Sequence, residues 1–195
     1  MNKTMQSVVI GASAGGYKAI HIILSALSAG FPLPVVIVQH RMAGSDTDNF
    51  YIDSLQNSCI LRVKEAKELE PILSGFVYIA PSGYHLLVEK NHTFSLSVDE
   101  PVCYSRPSID VLFESAAKTY SSGLIGIILT GANNDGSNGI KKIKEYGGIT
   151  IAQNPETAEV KLMPQSAINT KAVDFILDLE NIIPFLKNFL EDKAK

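Results

Sequence analysis

The stretch VVIGASAGGYKAI, residues 8–20, holds a serine in the middle of a glycine-rich turn. The residues up to Gly11 predict a buried strand, and the residues from Gly16 onward predict a helix. Between them the chain fits the pattern G-x-S-x-G, which presents a serine hydroxyl on a sharp strand-to-helix turn. The same pattern is also typical of a purely structural turn or of a phosphate-binding loop. Ser13 is therefore a candidate nucleophile whose role depends on the rest of the chain.

Short β-branched segments alternate with helical segments along the whole chain, as in proteins with parallel sheets. Strands are predicted at residues 7–11, 34–40, 75–81, 124–131, 148–153 and 173–177. Helices are predicted at residues 16–29, 46–57, 108–120, 135–146, 163–170 and 180–190. We expect an α/β fold: a doubly wound, mostly parallel sheet with helices on both faces and a small β-hairpin at 85–98, in one domain over residues 1–195. The most apolar strand, residues 124–131, is predicted to be central.

Composition and charge exclude several classes of protein. Hydrophobic residues make up 46% of the chain and charged residues 19%, which is ordinary for a globular protein. The net charge is −3 and the basic residues are scattered, so we expect no nucleic-acid partner. Cys59 and Cys103 lie far apart, which favours reduced thiols. Because the sequence shows neither a signal peptide nor an 18-residue apolar run, we expect a cytoplasmic protein without membrane insertion.

Polar residues stand at the carboxyl ends of three predicted strands, where ligand sites lie in open α/β sheets. They are Ser13, His40 and Asp135. Each alone has a structural explanation: a turn serine, a hydrogen-bonded histidine, and an aspartate that caps the helix it opens. Together they predict a nucleophile, a base that takes its proton and a carboxylate that fixes the tautomer of the base. Their order along the chain differs from the Ser, Asp, His order of α/β-hydrolases.

Six segments occur along the chain in this order: IGASAGG, VVIVQHR, VYIAPSGYHLLVE, RPSIDVLFESAA, IILTGANNDGSNGI and IAQNPETAEVKLMPQSAI. Together they resemble motifs in the catalytic domain of the CheB family, the bacterial chemotaxis protein-glutamate methylesterases. The resemblance implies that Ser13 is the nucleophile, His40 the general base and Asp135 the residue that orients the base. It also implies hydrolysis of glutamate γ-methyl esters on methyl-accepting chemotaxis receptors with release of methanol, deamidation of selected receptor glutamines, and no cofactor.

The sequence departs from the family pattern beside the serine and before the aspartate. Ala14 stands where the family usually has threonine, and Ala132 and Asn133 stand where it has methionine and glycine. In the family, the backbone N–H groups at Ala14 and Ala132 hold the oxyanion, and a backbone donor survives a change of side chain. We therefore expect the triad chemistry to be retained in a pocket of different shape, with Asn133 straining a turn that glycine would fit easily.

The family usually also carries an N-terminal receiver domain that covers the active edge until it is phosphorylated. Six residues precede the first predicted strand here, so we expect either a stand-alone form or a trimmed chain. In the chain as given, we expect an open site that is controlled by a separate regulatory partner or by receptor docking alone.

Three further residues are weaker candidates for substrate binding. His85 lies where the family has its second histidine, although a histidine on the face of the hairpin is the alternative. Arg106 either presents a charge to an acidic substrate or pairs with a nearby carboxylate. Met163 resembles the family's loop at the rim of the site, where it would pack against the substrate helix. The four histidines are scattered and no cysteine cluster is present, so we expect no metal site.

Two other functions stay open on the sequence. A Rossmann-type nucleotide-binding protein would hold phosphates with GASAGG and TGANNDG, but G-x-G-x-x-G is absent and the second strand ends in Gln39 and His40 rather than in an acidic residue. A non-catalytic signalling scaffold would result if the changes at Ala132 and Asn133 had abolished turnover. The intact serine, histidine and aspartate favour an enzyme.

Overall fold

The structure is a computed structural model that describes residues 5–41 and 48–194. Its strands are β1 (Ser7–Ala12), β2 (Val35–Gln39), β3 (Arg62–Glu65), β4 (Phe76–Ile79), β5 (His85–Val88), β6 (Phe94–Ser97), β7 (Leu124–Ile128), β8 (Ile149–Gln153) and β9 (Phe175–Leu177). Its helices are α1 (Gly16–Ser25), α2 (Asp48–Ser58), α3 (Ile109–Tyr120), α4 (Ser137–Glu145), α5 (Leu162–Asn169) and α6 (Ile182–Ala194). Within these ranges, every helix is too short or too polar to cross a membrane.

Seven strands form one sheet in the order β3-β4-β2-β1-β7-β8-β9, and each pairing in it is parallel. The chain places β2, β3 and β4 on one side of β1 and then returns to β7 on the other side of β1, so the sheet is doubly wound. β5 and β6 form a separate antiparallel hairpin. The predicted fold class and hairpin are confirmed. The predicted centre is wrong: β1 is the middle strand and β7 lies beside it.

Both faces of the sheet are covered by helices, as the continuous apolar strands predicted. In β1, Val8 and Ile10 belong to a hydrophobic cluster that includes residues of α1, α2 and α6. The intervening Val9 belongs to a second cluster, which includes residues of α3, α4, α5 and the hairpin. Successive residues of a strand point to opposite faces, so a strand between two cores is mostly apolar on both faces.

The structure differs from the sequence prediction at the edges of elements. β3 was not predicted, because Val63 is the one buried residue among its four and the segment shows no clear apolar period. β7 ends at Ile128 rather than at Gly131, although the Leu129 N–H still donates to the Gly11 carbonyl at 2.9 Å. The predicted start of α2, at residue 46, lies outside the described residues.

Helices α3 and α4 approach closely where Gly139 faces Phe113. A Cβ added at Gly139 would lie 2.5 Å from the Cβ of Phe113. Because a Cβ atom is fixed to the backbone, a side-chain rotation cannot remove this clash. The Gly139 N–H also donates to Asp110 Oδ1 at 2.7 Å. This contact holds the start of α4 against the start of α3, the two segments that flank the candidate site.

We expect Gly139→Ala to lower the free energy of unfolding by about 1–3 kcal/mol, because overpacking outweighs the ~1 kcal/mol by which alanine surpasses glycine inside a helix. Gly30→Ala is the matched control, since no atom of the described residues lies within 4 Å of a Cβ added there. Urea denaturation followed by circular dichroism measures both changes. A Gly139→Ala protein more stable than the unsubstituted one would contradict the close approach.

Candidate active site

The three candidate residues meet at the carboxyl edge of the sheet because their strands are neighbours. Ser13 follows β1, His40 follows β2 and Asp135 lies in the loop after β7, and these three strands are adjacent in the sheet. Backbone hydrogen bonds continue beyond the strand ends. The His40 N–H donates to the Ala12 carbonyl at 3.1 Å, and the Ser13 N–H donates to the Thr130 carbonyl at 2.9 Å. The backbone therefore holds both side chains at the same edge.

The turn that carries Ser13 requires glycine at two positions. Gly15 has a φ of +74°, which glycine adopts without steric cost. A Cβ added at Gly16 would lie 2.9 Å from the Cβ of Ala12, so α1 begins directly against the end of β1. The Gly16 N–H donates to the Ser13 carbonyl at 2.8 Å. This sharp turn leaves the serine half-buried at the start of a helix.

The side chains of Ser13, His40 and Asp135 form a continuous row of hydrogen bonds. Ser13 Oγ lies 3.2 Å from His40 Nδ1, and His40 Nε2 lies 2.8 Å from Asp135 Oδ2. An ionised carboxylate only accepts hydrogen bonds, so Nε2 carries the proton that Asp135 receives. The Nδ1 lone pair is then left to accept the Ser13 hydroxyl. A hydroxyl bonded to imidazole in this way can lose its proton to the ring.

Asp135 has no exposed surface, and its carboxylate is held by donors on every side. Oδ1 accepts the Ser108 hydroxyl at 2.9 Å and the Asp110 N–H at 3.0 Å. Oδ2 accepts the Ile109 N–H at 2.7 Å in addition to His40. Burial raises the pKa of Asp135, but the hydrogen bonds from His40 and from the two backbone N–H groups outweigh it and hold the pKa below its usual range. The carboxylate is therefore ionised at neutral pH.

These hydrogen bonds differ from ordinary helix capping at α3 and α4. Asp135 does not cap α4, whose N-cap residue is Gly136, but instead accepts the first N–H groups of α3. Ser108 occupies the N-cap position of α3, yet its hydroxyl makes no capping hydrogen bond and donates to Asp135. The Asp135 carboxylate therefore lies against the N-terminus of α3, and the positive end of the helix dipole favours its ionised form.

His85 lies behind this helix N-terminus, with 1% of its surface exposed. Its Nδ1 accepts the Ser108 N–H at 3.2 Å, and its Nε2 lies 3.1 Å from the Glu100 carbonyl and donates to it. Both ring nitrogens are therefore engaged by backbone groups. This geometry favours a role in positioning the start of α3, and the contact of His85 with substrate stays a prediction.

Arg106 lies in the wall of a cleft of about 340 Å³ next to His40. Its guanidinium donates to the backbone carbonyls of Val98 at 2.7 Å and Asp99 at 3.0 Å. The side chain therefore ties two segments of backbone together beside the site. Whether its charge also meets a substrate stays a prediction.

Met163 is fully buried rather than at the rim of the site. A Cβ added at Gly131 would lie 2.6 Å from the Met163 Sδ, so the thioether packs directly beneath the turn that follows β7. The sequence motif marked the position of this residue along the chain but not the direction of its side chain. In this structure its apolar contact is with the protein itself.

Ala14 and Ala132 lie on the turns after β1 and β7, and Ala14 directly follows Ser13. Both residues are exposed, and neither N–H donates to an acceptor among the described residues. Asn133 does not have the left-handed φ that would strain the second turn, and its Oδ1 accepts the Asp135 N–H at 3.1 Å. The expected strain at Asn133 is therefore wrong. The role of the two free N–H groups stays a prediction.

One set of possible metal ligands occurs in the described ranges: Cys103, Asp110 and Asp135 have ligand atoms within 4.8 Å of one another. Asp135 already accepts four hydrogen bonds, and Asp110 accepts the Gly139 N–H at 2.7 Å and the Asn138 amide at 3.3 Å. Burial and then the two carboxylates raise the pKa of the Cys103 thiol. With the carboxylates occupied and the thiol protonated, we assign no metal to this cluster.

Sequence reasoning missed one residue that contacts the base. Ser105 Oγ lies 3.3 Å from His40 Nδ1, at the same ring nitrogen that faces Ser13. Ser105 lies on an irregular segment between β6 and α3, where no strand or helix period marks it. Its place three residues before Ser108, in YSRPSID, is the one signal that the sequence offers.

Comparison with known proteins gives matches over almost the whole chain. The sequence profile of the CheB methylesterase family matches residues 8–186, which include all three residues of the hydrogen-bonded row. A protein of Leptospira interrogans is 55% identical over 177 residues, 91% of this chain and 91% of that protein. The protein-glutamate methylesterase/protein-glutamine glutaminase of Clostridium acetobutylicum is 37% identical over 179 residues, 92% of this chain and 51% of that protein.

A solved structure shares both the sequence and the fold. The crystal structure of the Thermotoga maritima CheB methylesterase catalytic domain superposes with a TM-score of 0.90 at 35% identity, and the match covers 95% of this chain and 98% of that one. The two chains therefore share their fold over nearly their whole lengths. The chain therefore belongs to the CheB methylesterase family.

Proposed function

We propose that the chain is a protein-glutamate methylesterase that hydrolyses glutamate γ-methyl esters of methyl-accepting chemotaxis receptors in the cytoplasm and releases methanol. The observation that carries this proposal is the row of hydrogen bonds from Ser13 through His40 to the ionised, buried Asp135. The names of its relatives support the substrate class. Residues 1–195 act as one catalytic domain in this proposal.

In the first half of the reaction, the Ser13 oxygen attacks the ester carbonyl carbon while His40 Nδ1 takes the hydroxyl proton. Asp135 keeps the ring in the tautomer that has a free Nδ1 and stabilises the imidazolium that forms. The tetrahedral intermediate then collapses, the carbon–methoxide bond breaks, and the Nδ1 proton passes to the methoxide oxygen. Methanol leaves, and the glutamyl group stays bound to Ser13 as an ester.

In the second half, water attacks the glutamyl ester and His40 Nδ1 takes a proton from it. Collapse of this intermediate breaks the bond to Ser13, whose oxygen recovers the proton, and a receptor glutamate carboxylate is released. A glutamine side chain enters the same cycle with ammonia as the leaving group, which accounts for a deamidase activity.

The negative oxygen of each intermediate is held by the N–H groups of Ala14 and Ala132. Both N–H groups lie on exposed turns beside Ser13 and have no acceptor within the described residues. Preorganised donors of this kind stabilise charge where it develops. Because the donors are backbone groups, alanine serves as well as threonine or methionine for this purpose.

The two competing functions are less well supported. The end of β2 carries Gln39, which accepts the Tyr51 hydroxyl, and His40, so it offers no carboxylate to a ribose. A scaffold without turnover has no need of a fully buried carboxylate hydrogen-bonded to a histidine that in turn faces a serine. Neither alternative accounts for that row of contacts.

The direct test uses receptor membranes carrying radiolabelled methyl esters and measures volatile methanol after addition of the protein. We expect release that depends on protein concentration. If the protein binds the membranes but releases no methanol, the scaffold function is correct instead. The same assay run with a glutamine-bearing receptor, followed by mass spectrometry for a gain of about one mass unit, tests deamidation.

We expect Ser13→Ala to reduce methanol release by about 10³-fold or more, because covalent catalysis is lost. A fluorophosphonate should label the unsubstituted protein at Ser13 and should not label the variant. Ser25→Ala, at the far end of α1, is the control, since its hydroxyl donates to the Ile22 carbonyl. Label found on another serine, or normal turnover by Ser13→Ala, would overturn the assignment of the nucleophile.

We expect Asp135→Asn to lower the free energy of unfolding at pH 7 by about 1–3 kcal/mol, because the buried donors around Asp135 lose their charged acceptor. The pKa of Asp135 is below its usual range in the folded protein, so the stabilisation by the carboxylate is complete above the unfolded pKa of about 3.9. It is lost as the pH falls through the folded pKa.

The difference in unfolding free energy between the Asp135→Asn variant and the unsubstituted protein should therefore shrink as the pH is lowered below about 4. Urea denaturation at a series of pH values measures it. Asp110 titrates in both proteins; burial raises its pKa most, and the charge of Asp135, which the variant lacks, raises it further. A difference that stayed constant or grew in acid would show that Asp135 is not held ionised.

A further inference from the structure

We propose that Ser105 is a positioning residue that shares the Nδ1 atom of His40 with Ser13 and holds the imidazole while it carries the transferred proton. This inference rests on the proposed esterase function but concerns a residue that the triad does not include. It comes from the contact between Ser105 and His40, not from any sequence motif.

Two hydroxyl groups face the same ring nitrogen. Ser13 Oγ lies 3.2 Å from His40 Nδ1, and Ser105 Oγ lies 3.3 Å from it. Because Nε2 donates to Asp135, Nδ1 has a single lone pair and accepts well from only one hydroxyl at a time. Ser105 also has an alternative acceptor, the Cys103 carbonyl, which lies 3.4 Å away. Its hydroxyl can therefore turn from the ring to the backbone without losing its hydrogen bond.

The backbone around Ser105 is held in a strained conformation that fixes its position. Cys103 and Tyr104 have φ values of 50° and 62°, the left-handed region that residues other than glycine adopt at a cost. Reciprocal hydrogen bonds close this turn, from the Val102 N–H to the Ser105 carbonyl at 3.2 Å and from the Ser105 N–H to the Val102 carbonyl at 2.9 Å. A strained backbone conformation persists where surrounding contacts hold it in place, and such conformations are common at functional sites.

The segment is also anchored just after the turn. The Arg106 guanidinium donates to the Val98 and Asp99 carbonyls, and the Ser108 hydroxyl donates to Asp135. Tyr104, which precedes both anchors, is fully exposed, so the turn is not maintained by burial of its side chain. What the strained turn achieves is the placement of the Ser105 hydroxyl against His40.

The need for a second hydroxyl follows from the reaction itself. After attack, the Ser13 oxygen is bonded to the substrate carbon and its former proton is on His40 Nδ1. The Nδ1–H group then donates to Ser105 Oγ, and the Ser105 hydrogen turns to the Cys103 carbonyl. The imidazolium stays in place until the Nδ1 proton passes to the methoxide oxygen, after which Ser105 returns to its first position. No proton is gained or lost by Ser105 in the cycle.

The test compares Ser105→Ala, Ser105→Thr and the control Ser58→Ala. Ser58 is half-buried at the end of α2 and donates to the Leu55 carbonyl at 2.9 Å, so its removal deletes a similar hydroxyl away from the site. We expect Ser105→Ala to lower kcat for methyl ester hydrolysis by about tenfold, the factor that loss of one hydrogen bond produces, with KM within about twofold. Ser105→Thr keeps the hydroxyl and should restore most of kcat.

A second measurement does not depend on turnover. The ¹⁵N resonance of His40 Nδ1 should shift in the resting Ser105→Ala protein and stay near its original position in Ser105→Thr and Ser58→Ala. An unchanged kcat and an unchanged Nδ1 resonance in Ser105→Ala would overturn the role of Ser105 while leaving the esterase function intact. Absence of methanol release from the unsubstituted protein would overturn the esterase function, and the resonance would then still decide whether Ser105 holds the ring.

Discussion

The carboxylate of Asp135 joins the end of β7 to the start of α3 and to the imidazole of His40. A fully buried charge is costly unless donors meet it from several directions, and here two backbone N–H groups, a hydroxyl and a ring nitrogen do so. The positive end of the α3 helix dipole adds to their effect. The hydrogen bonds that keep Asp135 ionised also orient its carboxylate toward Nε2 of His40. Packing of the helix and orientation of the base therefore depend on the same charge.

The sheet and the three residues at its edge could be predicted because both leave local signals. A strand between two cores is mostly apolar on both faces, and a polar residue just after its carboxyl end stands out. β3 left no such signal, since Val63 alone is buried in it. Ser105 left none either, because its contact with His40 joins an irregular segment to a strand end 65 positions away. Contacts of that kind follow from the tertiary fold and not from any period in the sequence.

The resemblance between motifs indicated where residues lie along the chain, but not the direction in which their side chains point. His85 and Met163 were both predicted near the substrate; both are buried in the structure, where they support the backbone of the site, and their contact with substrate stays a prediction. His85 bridges the backbone at Ser108 and Glu100, and Met163 fills the space beneath Gly131. A site that relies on buried charges needs such supports as much as it needs the reacting groups.

The doubly wound order of the strands has a consequence for how the protein is made. Ser13 and His40 lie in the half of the sheet that is synthesised first, but Asp135 follows β7, which pairs with the other side of β1. The contact between His40 and Asp135 closes a loop of 95 positions, and long loops close late because their entropy must be overcome first. A nascent chain that stops before residue 124 therefore holds a serine and a histidine without the carboxylate that orients the base. The row from Ser13 through His40 to Asp135 is therefore complete only after β7 and the loop that follows it have been synthesised, before β8 and β9 extend the sheet.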